Sequence, residues 1–316
     1  MVRVGLTGAT GFIGGGLVPR LAAAGYDLTL VDNRSGPVRV EPTSPGVVNE
    51  DFSSPRALGL LSEADVLLHL GAASGVVMCA NDPVGTARVN VEGTRRLVEM
   101  AIERKIPLLF ASSFAVVGSP DHLPVTELTP ARPTHEYARQ KAEGERIVAT
   151  LPRAGAAAGA VIRMSNVYGG YNSGPRRVEK GNVITLFAQQ AAEGRLRVNA
   201  PGTQRRNFIH IEDVFAHWLA AVRFVRDHPD PSYHLFNCSS EEAYSVLEVA
   251  DKVVRAWMAA HPGVPAPSVD IVPNPRASIE LIDPEFSVSR VETERLLGTR
   301  CTHTVDGTLR QLFGAR

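Results

Sequence analysis

Tyr137 and Lys141 stand four residues apart, a spacing that puts a phenol and an ammonium on one helix face about one turn apart. A lysine so placed lowers the phenol's pKa, which predicts Tyr137 as a general base near neutral pH. Phe110-Ala111-Ser112-Ser113 reads as the end of a strand, and a serine at the carboxyl end of a parallel strand points into the ligand crevice. There the Ser113 hydroxyl can bond a substrate oxygen and assist proton transfer. Gly8-Ala9-Thr10-Gly11-Phe12-Ile13-Gly14 follows an apolar run and opens a helix, which lets backbone amides approach a pyrophosphate closely. Asp32 ends the next apolar run, 18 residues after Gly14. A carboxylate there accepts from ribose hydroxyls and repels a 2′-phosphate, so NAD is expected over NADP, although Arg34 nearby could accommodate a phosphate. Alone, a Tyr–Lys pair is usually a surface pair and a glycine triplet an ordinary turn. In this order they predict a dinucleotide site with an acid–base residue beside it.

The elements that must carry these residues follow from hydrophobic periodicity. Strands are expected at Arg3–Thr7, Asp27–Asp32, Val66–Leu70, Pro107–Ser112 and Ala160–Met164. Helices are expected at Gly14–Ala24, Pro83–Arg104 and Thr134–Leu151. This alternation is the signature of a parallel sheet with crossover helices. After Arg163 the pattern loosens. Gly169–Gly174 reads as a loop, and helices are expected at Asn182–Glu193 and Glu212–Arg226. Ser245-Val246-Leu247-Glu248 is a capping box opening a helix towards Ala260, and a proline-rich passage, Pro262–Pro275, leads to a last strand and helix.

Composition narrows the class. Of 316 residues 44% are apolar and 21% charged, a globular balance. Thirty-three basic residues against 33 acidic ones argue against nucleic acid or an anionic membrane as a partner recognised through global charge. The apolar stretch Val66–Ala80 is too short to span a bilayer and contains His69. The chain opens without a signal-peptide pattern, and its three cysteines, Cys79, Cys238 and Cys301, are too scattered for a disulfide framework or a metal motif. A cytoplasmic protein without a metal is therefore expected. Locally, Gly174–Arg206 carries seven Lys/Arg against Glu179 and Glu193, which suits a small polyanion such as a diphosphate.

With these motifs in place, the sequence resembles the NAD-dependent nucleotide-sugar epimerase/dehydratase family of extended short-chain dehydrogenases/reductases. The resemblance runs through nearly the whole chain. It rests on Gly8–Gly14, Asp32-Asn33, Asp51-Phe52, His69–Ala73, Asn90–Thr94, Ser112-Ser113, Tyr137–Lys141, Arg163–Gly169, Arg206–Val214 and Ser245–Glu248. It implies an α/β fold, a Rossmann-type doubly wound parallel sheet with a smaller mixed α/β substrate-binding C-terminal domain. The division expected is 1–165 for NAD and 166–316 for the nucleotide sugar, with part of 206–240 returning to the first. It further implies that Gly8, Gly11, Phe12, Ile13, Gly14, Asp32 and Asn33 bind the cofactor, with Asp51 and Phe52 flanking the adenine. Leu70, Gly71 and Ala72 would line the pyrophosphate and nicotinamide ribose, Asn90 the cofactor side of the cleft, and Lys141 the same ribose. Ser113, Tyr137 and Lys141 would be catalytic, and Ser113, Asn166, Asn182, Arg206 and Arg276 would hold the substrate. A homodimer through the Pro83–Arg104 and Thr134–Leu151 helices is implied as well. Phe114, Val117, Asn207 and Ala200-Pro201 depart from the usual family pattern on the sugar side.

Phe114 and Ala115 follow the serine where dehydratases of this kind carry an acid/base pair and decarboxylases a glutamate. Water elimination then lacks its proton carriers. A UDP-hexose or UDP-uronate 4-epimerase is the first expectation and a 4-keto-sugar reductase the second. A dehydratase or decarboxylase and a non-catalytic NAD-binding protein follow.

Overall fold

The computed structural model describes residues 1–35, 46–228, 230–275 and 285–314. Strands and helices alternate from the start: β1 (Arg3–Thr7), α1 (Phe12–Ala23), β2 (Asp27–Val31), β3 (Val47–Val48), α2 (Pro55–Leu61), β4 (Val66–His69), α3 (Val76–Asn81) and α4 (Pro83–Ala87). α4 continues through a π turn, Arg88–Gly93, into α5 (Thr94–Arg104), so the one helix expected there is widened at Asn90. β5 (Leu108–Ser113) passes through a 3-10 turn, Phe114–Val117, before α6 (Glu136–Val148), α7 (Thr150–Arg153) and β6 (Gly159–Met164). Next come β7 (Asn166–Tyr168), β8 (Gly170–Ser173), β9 (Arg176–Glu179), α8 (Val183–Ala192), β10 (Arg195–Asn199), β11 (Arg205–His210), α9 (Ile211–Asp227) and β12 (Tyr233–Cys238). β13 (Ala243–Ser245), α10 (Val246–Ala260), β14 (Ser268–Val272), α11 (Val291–Leu297) and α12 (Val305–Phe313) complete the described chain.

Seven strands form one parallel sheet in the order β12-β6-β5-β4-β1-β2-β3. Alternation along the strands feeds both faces. Val66 and Leu68 join the core beneath α1 and α9, and Leu67 between them joins the core beneath α2, α5 and α6. This is the Rossmann-type doubly wound sheet expected from the sequence. A third core, built on Tyr168, Phe187, Leu196, Val249 and Leu309, lies in a smaller layer of α8, α10 and α12 with short strands.

Two local expectations change. Gly169–Gly174 is not a plain loop, because β8 pairs antiparallel with β9 from Gly170↔Glu179 to Ser173↔Arg176. Its glycine, asparagine and serine hide the strand, yet Tyr171 is buried and its hydroxyl donates to the Phe12 carbonyl at 2.7 Å. The proline-rich passage contains β14, parallel to β10, and its prolines flank the strand rather than interrupt it.

Candidate active site

The strand order reverses at β1, and the crevice beyond the carboxyl ends of β1 and β4 is where such sheets bind ligands. Gly8 has φ +75°, and a Cβ there would lie 2.7 Å from the Gly71 nitrogen. A Cβ on Gly14 would lie 2.0 Å from the Gly8 carbonyl oxygen. Neither position admits another residue without moving backbone. α1 starts at Gly11 with no side-chain cap and no acidic residue in its first turn, so its first amides are left for an anion, here the pyrophosphate expected from the sequence. Phe12 and Ile13 are the first two residues of that turn. The Asp32 carboxylate, just past β2, accepts from the Thr10 amide at 2.9 Å and the Arg34 amide at 2.5 Å. The glycine loop thereby fixes the group that would read a ribose. Asn33 Oδ1 accepts from Ser35, and the exposed Asp51 from Ser53. The Phe52 ring is buried against His69 at 4.7 Å.

His69 anchors the segment Leu70-Gly71-Ala72 through a directed chain of hydrogen bonds. Thr94 Oγ1 donates to the Asn90 carbonyl at 2.7 Å and therefore accepts from His69 Nε2 at 2.9 Å. The other ring nitrogen, Nδ1, then accepts from Thr7 Oγ1 at 2.7 Å, and Thr7 Oγ1 in turn accepts from the Gly71 amide at 3.0 Å. Burial, aided by Lys141, pushes His69 down to about 3, which keeps the ring neutral as this chain requires.

Tyr137 and Lys141 both lie on α6, capped by His135, whose Nδ1 accepts from the Ala138 amide at 3.3 Å. Lys141 is buried; its ammonium donates to the Ala111 carbonyl of β5 at 2.7 Å and sits 4.7 Å over the Phe110 ring. Burial lowers it to about 8, with Cys79 and Glu145 opposing. The expected lowering of Tyr137 by Lys141 does not appear. Burial pushes the phenol up, and the groups that pull it back are the hydroxyls of Ser74 and Ser113. The ammonium faces the strand carbonyl instead. Ser113 ends β5, and its Oγ also accepts from the Ala115 amide at 3.2 Å. The apolar turn that follows buries Phe114, Val116 and Val117 with Val125.

Asn90 is buried, and its amide is spent on positioning. It bonds the Ala73 amide at 2.8 Å, the Ala73 carbonyl at 2.9 Å and Gln140 Oε1 at 2.7 Å. A further bond set was not legible beforehand. Arg163 of β6 makes a two-pronged pair with Glu145 at 2.9 and 2.8 Å, and Ser112 donates to the same carboxylate at 2.6 Å. Glu145 is eight residues after Tyr137, on the same helix face, and that periodicity was the available signal. Ser74 had none beyond following β4.

On the substrate side, Asn166 is exposed on β7 and donates to the Asn207 carbonyl at 3.1 Å. Asn182 caps α8, accepting from the Ile184 and Thr185 amides at 2.9 and 3.1 Å. Arg206 of β11 donates to the Arg205 carbonyl at 2.8 Å. Asn166 and Arg206 belong to the paired strands β7 and β11, and the Asn182 amide reaches the Val167 carbonyl of β7 at 3.3 Å. Arg276 lies outside the described residues.

UDP-glucose 4-epimerase of Mycolicibacterium smegmatis is 32% identical over 228 residues, 67% of this chain and 71% of that one. The structure of UDP-glucose-4-epimerase from Stenotrophomonas maltophila with bound NAD and formylated UDP-arabinopyranose superposes with a TM-score of 0.81 at 25% identity, covering 99% of this chain and 97% of that one. An NAD dependent NDP-hexosamine 5,6-dehydratase involved in tunicamycin biosynthesis matches with the same TM-score and identity, over 100% of this chain and 99% of that one. The profile of the NAD dependent epimerase/dehydratase family matches residues 4–238. With its glycine cradle, the Asp32 carboxylate fixed beside it and the Tyr137–Lys141 helix, the chain belongs to the NAD dependent epimerase/dehydratase family, and NAD is its cofactor.

Proposed function

We propose that this protein is a nucleotide-sugar 4-epimerase acting on a UDP-hexose or a UDP-uronate. The observation that carries the reading is Ser113 at the mouth of β5, with the Tyr137–Lys141 helix packed against that strand, followed by a buried apolar turn with no carboxylate. Relatives that are UDP-glucose 4-epimerases support it. Residues 1–165 hold NAD in this proposal and 166–316 the nucleotide sugar. Part of 206–240 returns to the first unit, which the place of β12 in the large sheet supports. Gly8, Gly11 and Gly14 admit the pyrophosphate, Asp32 takes the ribose hydroxyls, and Asn166, Asn182 and Arg206 face the nucleotide diphosphate.

Tyr137 takes the proton of the sugar 4-hydroxyl while Ser113 bonds the same oxygen. NAD, held by the Gly8–Gly14 loop and Asp32, would supply the acceptor and donor for the C4 hydride. The 4-keto sugar turns within the site so that C4 presents its opposite face for hydride return, and Tyr137 gives the proton back to the 4-oxygen. Lys141, held by Ala111, keeps a positive charge one turn from the phenol. The cycle leaves no net oxidation and exchanges no carbon-bound hydrogen with water. Cytoplasmic residence and a homodimer complete the proposal; among the described residues no helix is long and apolar enough to cross a membrane.

Incubation with a panel of UDP-, GDP- and dTDP-sugars, in normal and deuterated water, tests the reading. A C4 epimer without deuterium on the inverted carbon is expected, and Tyr137→Phe should slow turnover by about 10²–10⁴-fold with NAD retained. Deuterium on that carbon would refute the hydride route. A net loss of bound NADH or elimination of water would move the assignment to a reductase or a dehydratase.

A further inference from the structure

We propose that Tyr171 is a positioning residue of the cofactor site: its hydroxyl, reaching in from the β8–β9 hairpin, holds the Phe12–Ile13 peptide so that the Ile13 amide is aimed at the pyrophosphate. The proposal rests on the placement of that pyrophosphate at the Gly8–Gly14 loop and is independent of which sugar is turned over. By sequence Tyr171 belongs to the substrate-side unit, between Asn166 on β7 and Asn182 at the cap of α8. The structure nevertheless buries it against α1, with its hydroxyl donating to the Phe12 carbonyl at 2.7 Å. That carbonyl and the Ile13 N–H belong to one planar trans peptide, in which the two bonds point in opposite directions. Fixing the carbonyl therefore fixes the amide. Ile13 is the second residue of α1, and its N–H is among those with no partner within the helix. A donor on the carbonyl also polarises the peptide and strengthens its N–H towards an anion.

The sequence is shaped around this contact. A Cβ on Gly16 would lie 2.2 Å from Phe215 Cζ and 2.8 Å from Tyr171 Cζ, so glycine is what lets both rings seat on α1. The Tyr171 ring meets Phe12 at 5.7 Å and Phe215 edge-on at 5.3 Å between centroids. Arg20, further along α1, closes the seat. Its guanidinium lies 4.1 Å over the Phe215 ring, donates to the Gly16 carbonyl at 2.7 Å and reaches both Glu212 oxygens at 2.6 Å. Val178, opposite Tyr171 on β9, packs on the same core. Burial pushes the Tyr171 phenol up, against Arg20 and with Glu212, so the hydroxyl stays protonated and serves as a donor. Phenylalanine would meet the packing alone. The one heavy atom that tyrosine adds is the one bonded to the Phe12 carbonyl.

The test reads the amide directly. In protein whose isoleucines carry an NMR-active amide nitrogen, the Ile13 N–H signal is identified by its loss in Ile13→Val. Loading with NAD should move that proton downfield as it bonds the pyrophosphate. Tyr171→Phe keeps the ring and removes the hydroxyl. In the loaded variant the Ile13 proton should lie upfield of its parent position, and bound NAD should exchange with isotope-labelled NAD about three- to tenfold faster, the size of one hydrogen bond. Unchanged exchange in Tyr171→Phe would overturn the proposal. Faster exchange with the Ile13 signal unmoved would overturn it too, since that marks a general loosening of the hairpin. An Ile13 signal in the parent protein that NAD leaves in place would refute the pyrophosphate placement, and the proposal with it. A displaced Ile13 signal in a protein that turns over no sugar of the panel would uphold the role of Tyr171 and refute the epimerase reading.

Discussion

Lys141→Met should make the protein more stable while removing its activity. In the folded chain Lys141 is 5% exposed, and burial brings it from the usual 10.5 to about 8. At about 1.36 kcal/mol for each tenfold in proton affinity, keeping that ammonium charged at pH 7 costs the fold roughly 3 kcal/mol. Methionine keeps most of the apolar stem and carries no charge. The replacement also removes the donor to the Ala111 carbonyl and the contact with the Phe110 ring, together worth about 1.5–2 kcal/mol. A net gain of about 1–2 kcal/mol remains, or a Tm higher by several degrees. The sign has a signature in pH. Because the folded pKa lies below the unfolded one, the unfolded chain binds the extra proton between about pH 8 and 10.5. Stability owed to this group therefore rises with pH across that window, and the advantage of the variant shrinks there. Urea unfolding of both proteins at pH 7, 8, 9 and 10, compared as differences, measures it. A variant less stable than its parent at pH 7, or a difference that stays constant to pH 10, would refute the reasoning.

Two further outcomes are expected. Asp32→Ala should weaken NAD and erode its preference over NADP, because the carboxylate fixed by Thr10 and Arg34 amides is lost; titration calorimetry with both nucleotides measures this, and equal or tighter NADP binding by the parent protein would reject the role of Asp32. The chain should form a homodimer through the α4–α5 and α6 helices, consistent with Val84 standing 65% exposed at the start of α4; a monomeric mass by light scattering at micromolar concentration would count against it.

Legibility in the sequence followed the length scale of each feature. Gly8 to Gly14, Asp32 and the Tyr137–Lys141 pair could be read because one turn of helix or one strand converts their spacing directly into geometry. Helix periodicity gives the face that Lys141 occupies but not its partner, since the Ala111 carbonyl is 30 residues away and belongs to a strand. The pairing of Glu145 with Arg163 was hidden for the same reason, and so was the anchoring of Ala73 by Asn90. His69 sat inside an apolar run where a strand residue was the plain reading, and its two threonine partners come from β1 and α5. The β8–β9 hairpin is hidden in the sequence because its residues are turn formers by composition, and its antiparallel pairing and the burial of Tyr171 against α1 exist only in three dimensions.

The place of β12 has a consequence for biosynthesis. Its neighbour β6 lies inside the finished sheet, with Gly159–Met164 buried along its whole length. During synthesis, however, everything from Asn166 to Asp227 must leave the ribosome before Tyr233–Cys238 can pair with it. Until then β6 is an edge, an apolar ribbon with a free row of amides and carbonyls open to other chains. A nascent or prematurely ended product lacking residues 233–238 should accordingly recruit chaperones or aggregate, even though its glycine loop and Tyr137 helix are already made.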